Sequence, residues 1–161
     1  MILREYAPKD LNRVLELNEA SVHFLSPLTE KSLKNLLTKC DLSYVVEIDA
    51  SVEAFILVLS ENKNYESVNY QWFLQNYDCF LYIDRVVISS SHQSQGFGKF
   101  IYKAILEKAK EKKYPYILAE IDLEPANPKS LNFHESFGFK EVGRQSIYDG
   151  KKVVSLQALK L

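Results

Sequence analysis

Residues 93–98 read Gln93-Ser94-Gln95-Gly96-Phe97-Gly98, and their types suggest a place to hold an anion. Phe80 to Ile88 before them is a β-branched and aromatic run, which predicts a strand. After them Phe97, Phe100, Ile101, Ala104, Ile105 and Ala109 recur at helical spacing, with Lys99, Lys103, Glu107, Lys110 and Glu111 on other faces. This predicts a helix running to Lys112. A Gly-x-Gly turn between strand and helix lets backbone approach a ligand closely. The first amides of the helix have no intrahelical partner, and the macrodipole places its positive end there. A phosphate or pyrophosphate is the natural ligand for such an end.

Two phosphate-binding patterns fail on the residues. A Walker A loop needs an earlier glycine and then Lys and Ser or Thr, but Gly98-Lys99 is followed by Phe100. A dinucleotide fingerprint needs a third glycine where Ile101 stands. The spacing from Gln93 to Gly98 resembles instead the acyl-CoA loop of the GNAT acetyltransferase superfamily: Gln or Arg, two residues, Gly, one residue, Gly or Ala. Val86-Val87-Ile88 precedes it at the family's distance. A second stretch, Asn127-Pro128-Lys129-Ser130 and then Phe133-His134-Glu135-Ser136-Phe137-Gly138-Phe139, is similar to the segment after that family's fifth strand. There an Asn stands seven residues before a Tyr, and here His134 occupies the Tyr place. Asn69-Tyr70-x-Trp72-Phe73 adds a likeness to a bacterial branch of uncharacterised predicted acetyltransferases.

The resemblance implies a fold and a chemistry. Acetyl-CoA would bind where the fourth and fifth strands splay apart. Val86, Val87 and Ile88 would pair with the pantetheine arm, the loop Gln93, Ser94, Gln95, Gly96, Phe97, Gly98 and Lys99 would hold the pyrophosphate, and Asn127, Ser130, Phe133 and His134 would lie beside the arm. Direct acyl transfer needs a base for the amine, a donor for the thioester oxygen and an acid for the leaving thiolate. His134 would be that acid, its unperturbed pKa of about 6.5 permitting acid or base work. Glu120 is the first candidate base, Asp84 the second and Asp122 the third. Against this, each carboxylate could instead form a salt bridge, and His134 could merely pack. The implied activity is an N-acetyltransferase acting on an amine, with a small cationic or amino-acid-like molecule as the acceptor. A non-catalytic acyl-CoA-binding sensor and a protein N-acetyltransferase are the alternatives.

The elements that must position these groups follow from the pattern. Ile2 to Tyr6 predicts a short strand, and Asp10 can cap a helix whose apolar face ends near His23. Thr29 opens a second helix. In the family these helices wall the acceptor site, so Glu19 and His23 become candidate substrate contacts. Leu42–Ile48 and Val52–Leu59 predict strands joined by a turn at Asp49-Ala50-Ser51. The span 60–78 carries Tyr65, Tyr70, Trp72, Phe73 and Tyr77. These rings either pin a loop or helical turn onto the core or form a lid, with Tyr70, Trp72, Phe73, Tyr82 and Asp84 touching the acceptor. Tyr116–Leu123 predicts a fifth strand, Asn127 caps a short helix begun by Pro128, and 139–161 predicts a hairpin turning at Asp149-Gly150. His92 reads as exposed and incidental. The expected fold is α/β (α+β): one domain over 1–161, a mixed twisted sheet of about seven strands and about four helices.

Composition bounds the rest. At 161 residues, 47% apolar and 12% aromatic, the chain can bury a core. A net charge of −1 without a basic block gives nucleic acid no electrostatic hold. No apolar run reaches the roughly 18 residues of a membrane span, and the N-terminal residues lack a signal-peptide pattern. Cys40 and Cys79 have no metal spacing, so no metal site is expected, and a cytoplasmic protein with reduced thiols follows. The last strand could pair with a second copy through an exposed edge, giving a homodimer.

Overall fold

The computed structural model describes residues 1–161. In chain order it runs β1 (Ile2–Glu5), α1 (Leu11–Glu19), α2 (Glu30–Leu37), β2 (Leu42–Ile48), β3 (Ser51–Ser60), α3 (Val68–Asn76) and β4 (Leu81–Ile88). Then come α4 (Phe97–Glu111), β5 (Tyr116–Glu124), α5 (Pro128–Ser136), β6 (Lys140–Ile147) and β7 (Lys152–Lys160). Short 3₁₀ turns at Pro8–Asp10 and Ser90–His92 precede α1 and α4. The seven strands form one mixed sheet in the order β1-β2-β3-β4-β5-β7-β6. Two compact units divide the chain: 1–59 with 83–108, and 60–82 with 109–161. The division falls inside β4, after Tyr82.

In the first unit β1 pairs antiparallel with β2, and β2 with β3. The β2–β3 turn puts Asp49 and Ala50 both in the left-handed region, at φ of 48° and 64°. That conformation matches the right-handed twist of the flanking strands. Val45, Val46, Ala54, Phe55 and Ile56 are buried, as are Val14 and Leu17 of α1 and Leu33 and Leu36 of α2. Thr29 caps α2 as its type predicts, accepting from the Ser32 amide at 3.1 Å. Asp10 stands at the N-cap position of α1 but does not cap it through its side chain. Its carboxylate accepts instead from the Ala7 amide at 2.8 Å and from both terminal nitrogens of Arg4, at 2.7 and 2.9 Å. A bidentate guanidinium outbids a helix amide for a buried carboxylate, because paired charge offsets desolvation best.

In the second unit β5 and β7 pair antiparallel, as do β7 and β6. Tyr148–Lys151 connect β6 to β7, and Gly150 takes a φ of 83° there. The parallel pairing of β4 with β5 runs through Leu81↔Ile117 and Tyr82↔Leu118. The expected count of about four helices is exceeded by one, since 68–76 is a full nine-residue helix, α3. Its N-cap is Ser67, which accepts from the Tyr70 amide. The aromatic spacing that blurred this segment reflects its job: Tyr70 and Phe73 are fully buried. Their rings pack against Tyr82 with centroids 5.4 and 5.7 Å away. The Tyr70 hydroxyl donates to the Ser60 carbonyl at 2.6 Å and accepts from the Lys63 amide at 2.9 Å, which ties the loop before α3 to the helix. No helix of the chain is long and apolar enough to cross a membrane.

Candidate acetyl-transfer site

The anion-binding candidate lies in the first unit. The strand β4 ends at Ile88, the 3₁₀ turn Ser90–His92 follows, and α4 begins at Phe97. Between them Ser94 and Gly96 adopt φ of 62° and 89°. Two left-handed residues in four bend the chain back over the end of the strand. The side-chain amides of Gln93 and Gln95 donate from Nε2 to the carbonyls of Ile88 at 3.4 Å and Ser91 at 2.8 Å. Residues 93–96 remain exposed. A Cβ built on Gly96 would meet no protein atom within 4 Å, so it would stand in open space beside the first turn of α4. Open space, a left-handed glycine and the start of a 15-residue helix fit a pyrophosphate. Of the strand residues expected to meet the pantetheine arm, Val87 is buried while Val86 and Ile88 are half-buried.

The second unit holds the candidate acid His134 and the candidate bases Glu120 and Asp122, while Asp84 belongs to the first unit. Glu120 on β5 is half-buried, and its Oε1 accepts from the Tyr82 hydroxyl at 2.9 Å. Tyr82 is itself fully buried among Tyr70, Phe73 and the strand core. His134 on α5 is 4% exposed. Its Nδ1 lies 2.8 Å from the Ser130 carbonyl one helical turn earlier. A carbonyl only accepts, so Nδ1 carries the proton and Nε2 bears the lone pair of a neutral ring. Burial pushes the His134 pKa down to about 4, against the raising effect of that hydrogen bond. Phe133 and Phe139 meet the ring edge-on at 5.5 and 5.0 Å. Asn127 caps α5, its Oδ1 accepting from the Ser130 amide at 3.2 Å, with Pro128 at the first helical position.

The three candidate carboxylates sit in different company. Asp84 is 2.7 Å from Nε of Arg85, and both side chains are buried. Arg85 also donates to Asn18 Oδ1 at 2.8 Å and to the Ser26 carbonyl at 3.3 Å. Asp122 lies 2.9 Å from the Lys152 ammonium, yet its carboxyl is held above the usual carboxylate range, because burial outweighs the pull of that cation. Glu120 faces a neutral phenol. Among the substrate candidates, Glu19 and His23 are exposed near the end of α1, with His23 against the Phe24 ring at 4.3 Å. Tyr70 and Phe73 present no surface, whereas Trp72 is half-buried. Neither cysteine is set up as a nucleophile: burial pushes the Cys40 thiol up to about 12 and raises Cys79 as well.

The Tyr82–Glu120 bond was not foreseen, although the sequence carried a signal for it. Leu118 stands opposite Tyr82 in the parallel pair, and Glu120 follows Leu118 by two residues. It therefore shares its face and lies diagonally from the tyrosine. The polar network around His92, read from the sequence as incidental, was missed too.

A sequence search of curated proteins finds no match. Solved structures match over nearly the whole chain at low identity. Ard1 from Thermoplasma volcanium is 16% identical, with 99% of this chain and 97% of that one covered and a TM-score of 0.81. The ribosomal-protein-S18-alanine N-acetyltransferase from Escherichia coli is 15% identical, covering 99% and 92%, at 0.76. Naa20 from Chaetomium thermophilum, solved with a bisubstrate analogue, is 15% identical, covering 100% and 87%, at 0.80. These likenesses establish the fold. The family model described as Acetyltransferase (GNAT) family matches residues 12–139, well over half of the chain, and the chain belongs to that family.

Proposed function

We propose that this protein moves the acetyl group of acetyl-CoA directly onto an amine, with Glu120 as the base. The observation that carries the assignment of the base is the hydrogen bond that Glu120 accepts from the fully buried Tyr82 hydroxyl, which fixes where the carboxylate points. Asp84 lies 2.7 Å from the Arg85 guanidinium and Asp122 2.9 Å from the Lys152 ammonium, each placed for a structural salt bridge. Family membership supports acetyl-CoA as the donor.

Bound acetyl-CoA would supply an activated acyl group as a thioester. The loop Gln93–Lys99 takes the pyrophosphate on backbone amides and the α4 N-terminus. Val86, Val87 and Ile88 offer backbone groups to the pantetheine arm, and Asn127, Ser130, Phe133 and His134 serve the same arm. Glu120 removes a proton from the acceptor ammonium, directly or through water, and the Tyr82 hydroxyl holds the carboxylate in one orientation. With Nδ1 given to Ser130, His134 enters as a neutral ring whose Nε2 accepts a hydrogen bond. It can give a proton to the leaving sulfur only after taking one. Asp84 serves as a structural partner of Arg85.

A small cationic or amino-acid-like amine is the acceptor in this reading, and Glu19, His23 and Trp72 are its candidate contacts. A second acceptor, the amino terminus of a protein, draws support from α3. A lid of loose aromatic residues would obstruct a polypeptide, but Tyr70 and Phe73 are committed to the core. A thiol-release assay with acetyl-CoA against amino acids, polyamines, aminoglycosides and peptides with free amino termini separates the two. Turnover confined to the small amines supports the first reading. Turnover confined to the peptides replaces it with the second.

A further inference from the structure

The geometry points to His92 as a positioning residue for cofactor binding: it pins the start of the Gln93–Lys99 loop to a carboxylate on β3. This rests on the reading of that loop as the pyrophosphate site.

Glu53 on β3 is 9% exposed and saturated with partners. Its Oε1 accepts from the Ser51 hydroxyl at 2.6 Å and its Oε2 from Arg13 at 3.3 Å. Arg13 is anchored in turn by donation to the Val52 carbonyl at 2.9 Å. His92 brings Nδ1 to 3.3 Å from the same Oε2, and to 3.0 Å from the hydroxyls of both Ser89 and Ser91. Backbone bonds run alongside: the Ser89 amide donates to the Glu53 carbonyl at 2.8 Å, and the His92 amide to the Ser89 carbonyl at 2.9 Å. The other side of the imidazole rests on the ring of Phe97, centroids 5.1 Å apart. Phe97 is the first residue of α4 and is buried. One side chain therefore touches both the serines before the loop and the first residue of α4 within it, and lies against a carboxylate from a different strand.

The loop needs that hold. Ser94 is a non-glycine residue in the left-handed region, a conformation that persists only when its surroundings enforce it. Residues 93–96 are exposed and contribute little packing of their own. Without the His92 bridge the amides would sample many directions, and a ligand would have to order them as it binds. That cost appears as lost affinity, with the contacts themselves unchanged.

The test is calorimetric titration of the whole protein with CoA, which requires no knowledge of the acceptor. His92→Ala is expected to lower CoA affinity about tenfold. His92→Phe keeps the ring on Phe97 and loses the polar contacts of Nδ1, so its loss is expected to be smaller. Glu53→Gln, close to isosteric, is expected to lower affinity as well and stands in should His92→Ala fold poorly. Hydrogen exchange provides a readout that a general loss of stability would not mimic: amides of 94–99 exchange faster in His92→Ala while those of β3 keep their protection. CoA affinity of His92→Ala and Glu53→Gln within twofold of wild type would overturn the inference while leaving the cofactor reading intact. A wild-type protein that binds no CoA overturns both.

Discussion

The hydroxyl of Tyr82 donates to Oε1 of Glu120 at 2.9 Å, from a phenol with no exposed surface. The tyrosine cannot swing away, because Tyr70 and Phe73 pack on its ring. It therefore fixes where the carboxylate points. Tyr82→Phe is expected to keep the fold and to lower kcat/KM about tenfold, the scale of a hydrogen bond to a charged group. Steady-state kinetics on the acceptor identified by thiol release checks this. An unchanged kcat/KM would separate Tyr82 from the chemistry.

The Arg85 guanidinium is 5% exposed and bonds Asp84, Asn18 and Ser26. Arg85→Leu leaves the buried Asp84 carboxylate without its cation. Removing one partner of a buried pair costs about 3–5 kcal/mol, mostly from the charge left behind. The double variant Arg85→Leu/Asp84→Leu should recover part of that loss. Urea unfolding of the single and double variants measures both.

His134 makes stability depend on pH. In the unfolded chain its imidazole titrates near 6.5, and in the folded chain near 4, because burial disfavours the cation. Between those values the unfolded chain binds a proton that the folded chain does not. Stability therefore falls as pH drops through about 6.5 and stops falling, for this group, below about 4. At pH 5 the loss is about 2 kcal/mol relative to neutral pH. His134→Leu should remove that share of the dependence, so unfolding free energies of the two proteins at pH 7 and pH 5 differ by that amount in their pH change. The same loss in both proteins would place the imidazolium in the folded state.

At Gly143, in the bulged part of β6, a Cβ would sit 2.8 Å from Trp72 Cζ2 and 3.1 Å from Cη2. Both are atoms of a rigid indole, not the tip of a flexible chain. Gly143→Ala should cost about 2 kcal/mol as an overpacking change. Trp72 is the chain's one tryptophan, so its emission reports the displacement directly. A melting temperature and a spectrum identical to wild type would contradict this packing.

Much of this architecture was legible in the sequence, and the legible parts share a cause. Local chemistry specifies them: the Gly96 turn, the Thr29 and Asn127 caps, the continuous apolar run of β3 and the alternation along β5 each depend on residues within one turn or one pleat of each other. The features that escaped depend on partners far along the chain. Asp10 looks like a helix cap until Arg4 claims it. The segment 68–76 hides its helix because its buried face is aromatic, and its weak amphipathicity resembles that of a pinned loop. His92 looks incidental because its main partner, Glu53, lies 39 residues earlier. Glu120 was chosen by resemblance, and its bond to Tyr82, 38 residues earlier, is encoded by no local pattern.

The most direct test of the account compares wild type with Glu120→Gln in thiol release from acetyl-CoA, with CoA binding measured in parallel by calorimetry. The account predicts that both proteins bind CoA with similar affinity. It also predicts that Glu120→Gln loses about 100-fold or more in kcat once an amine acceptor is present, the usual scale for a general base. Glu120→Gln turning over at the wild-type rate would contradict the assignment of the base, and a wild-type protein that neither binds CoA nor releases its thiol would contradict the proposed reaction itself.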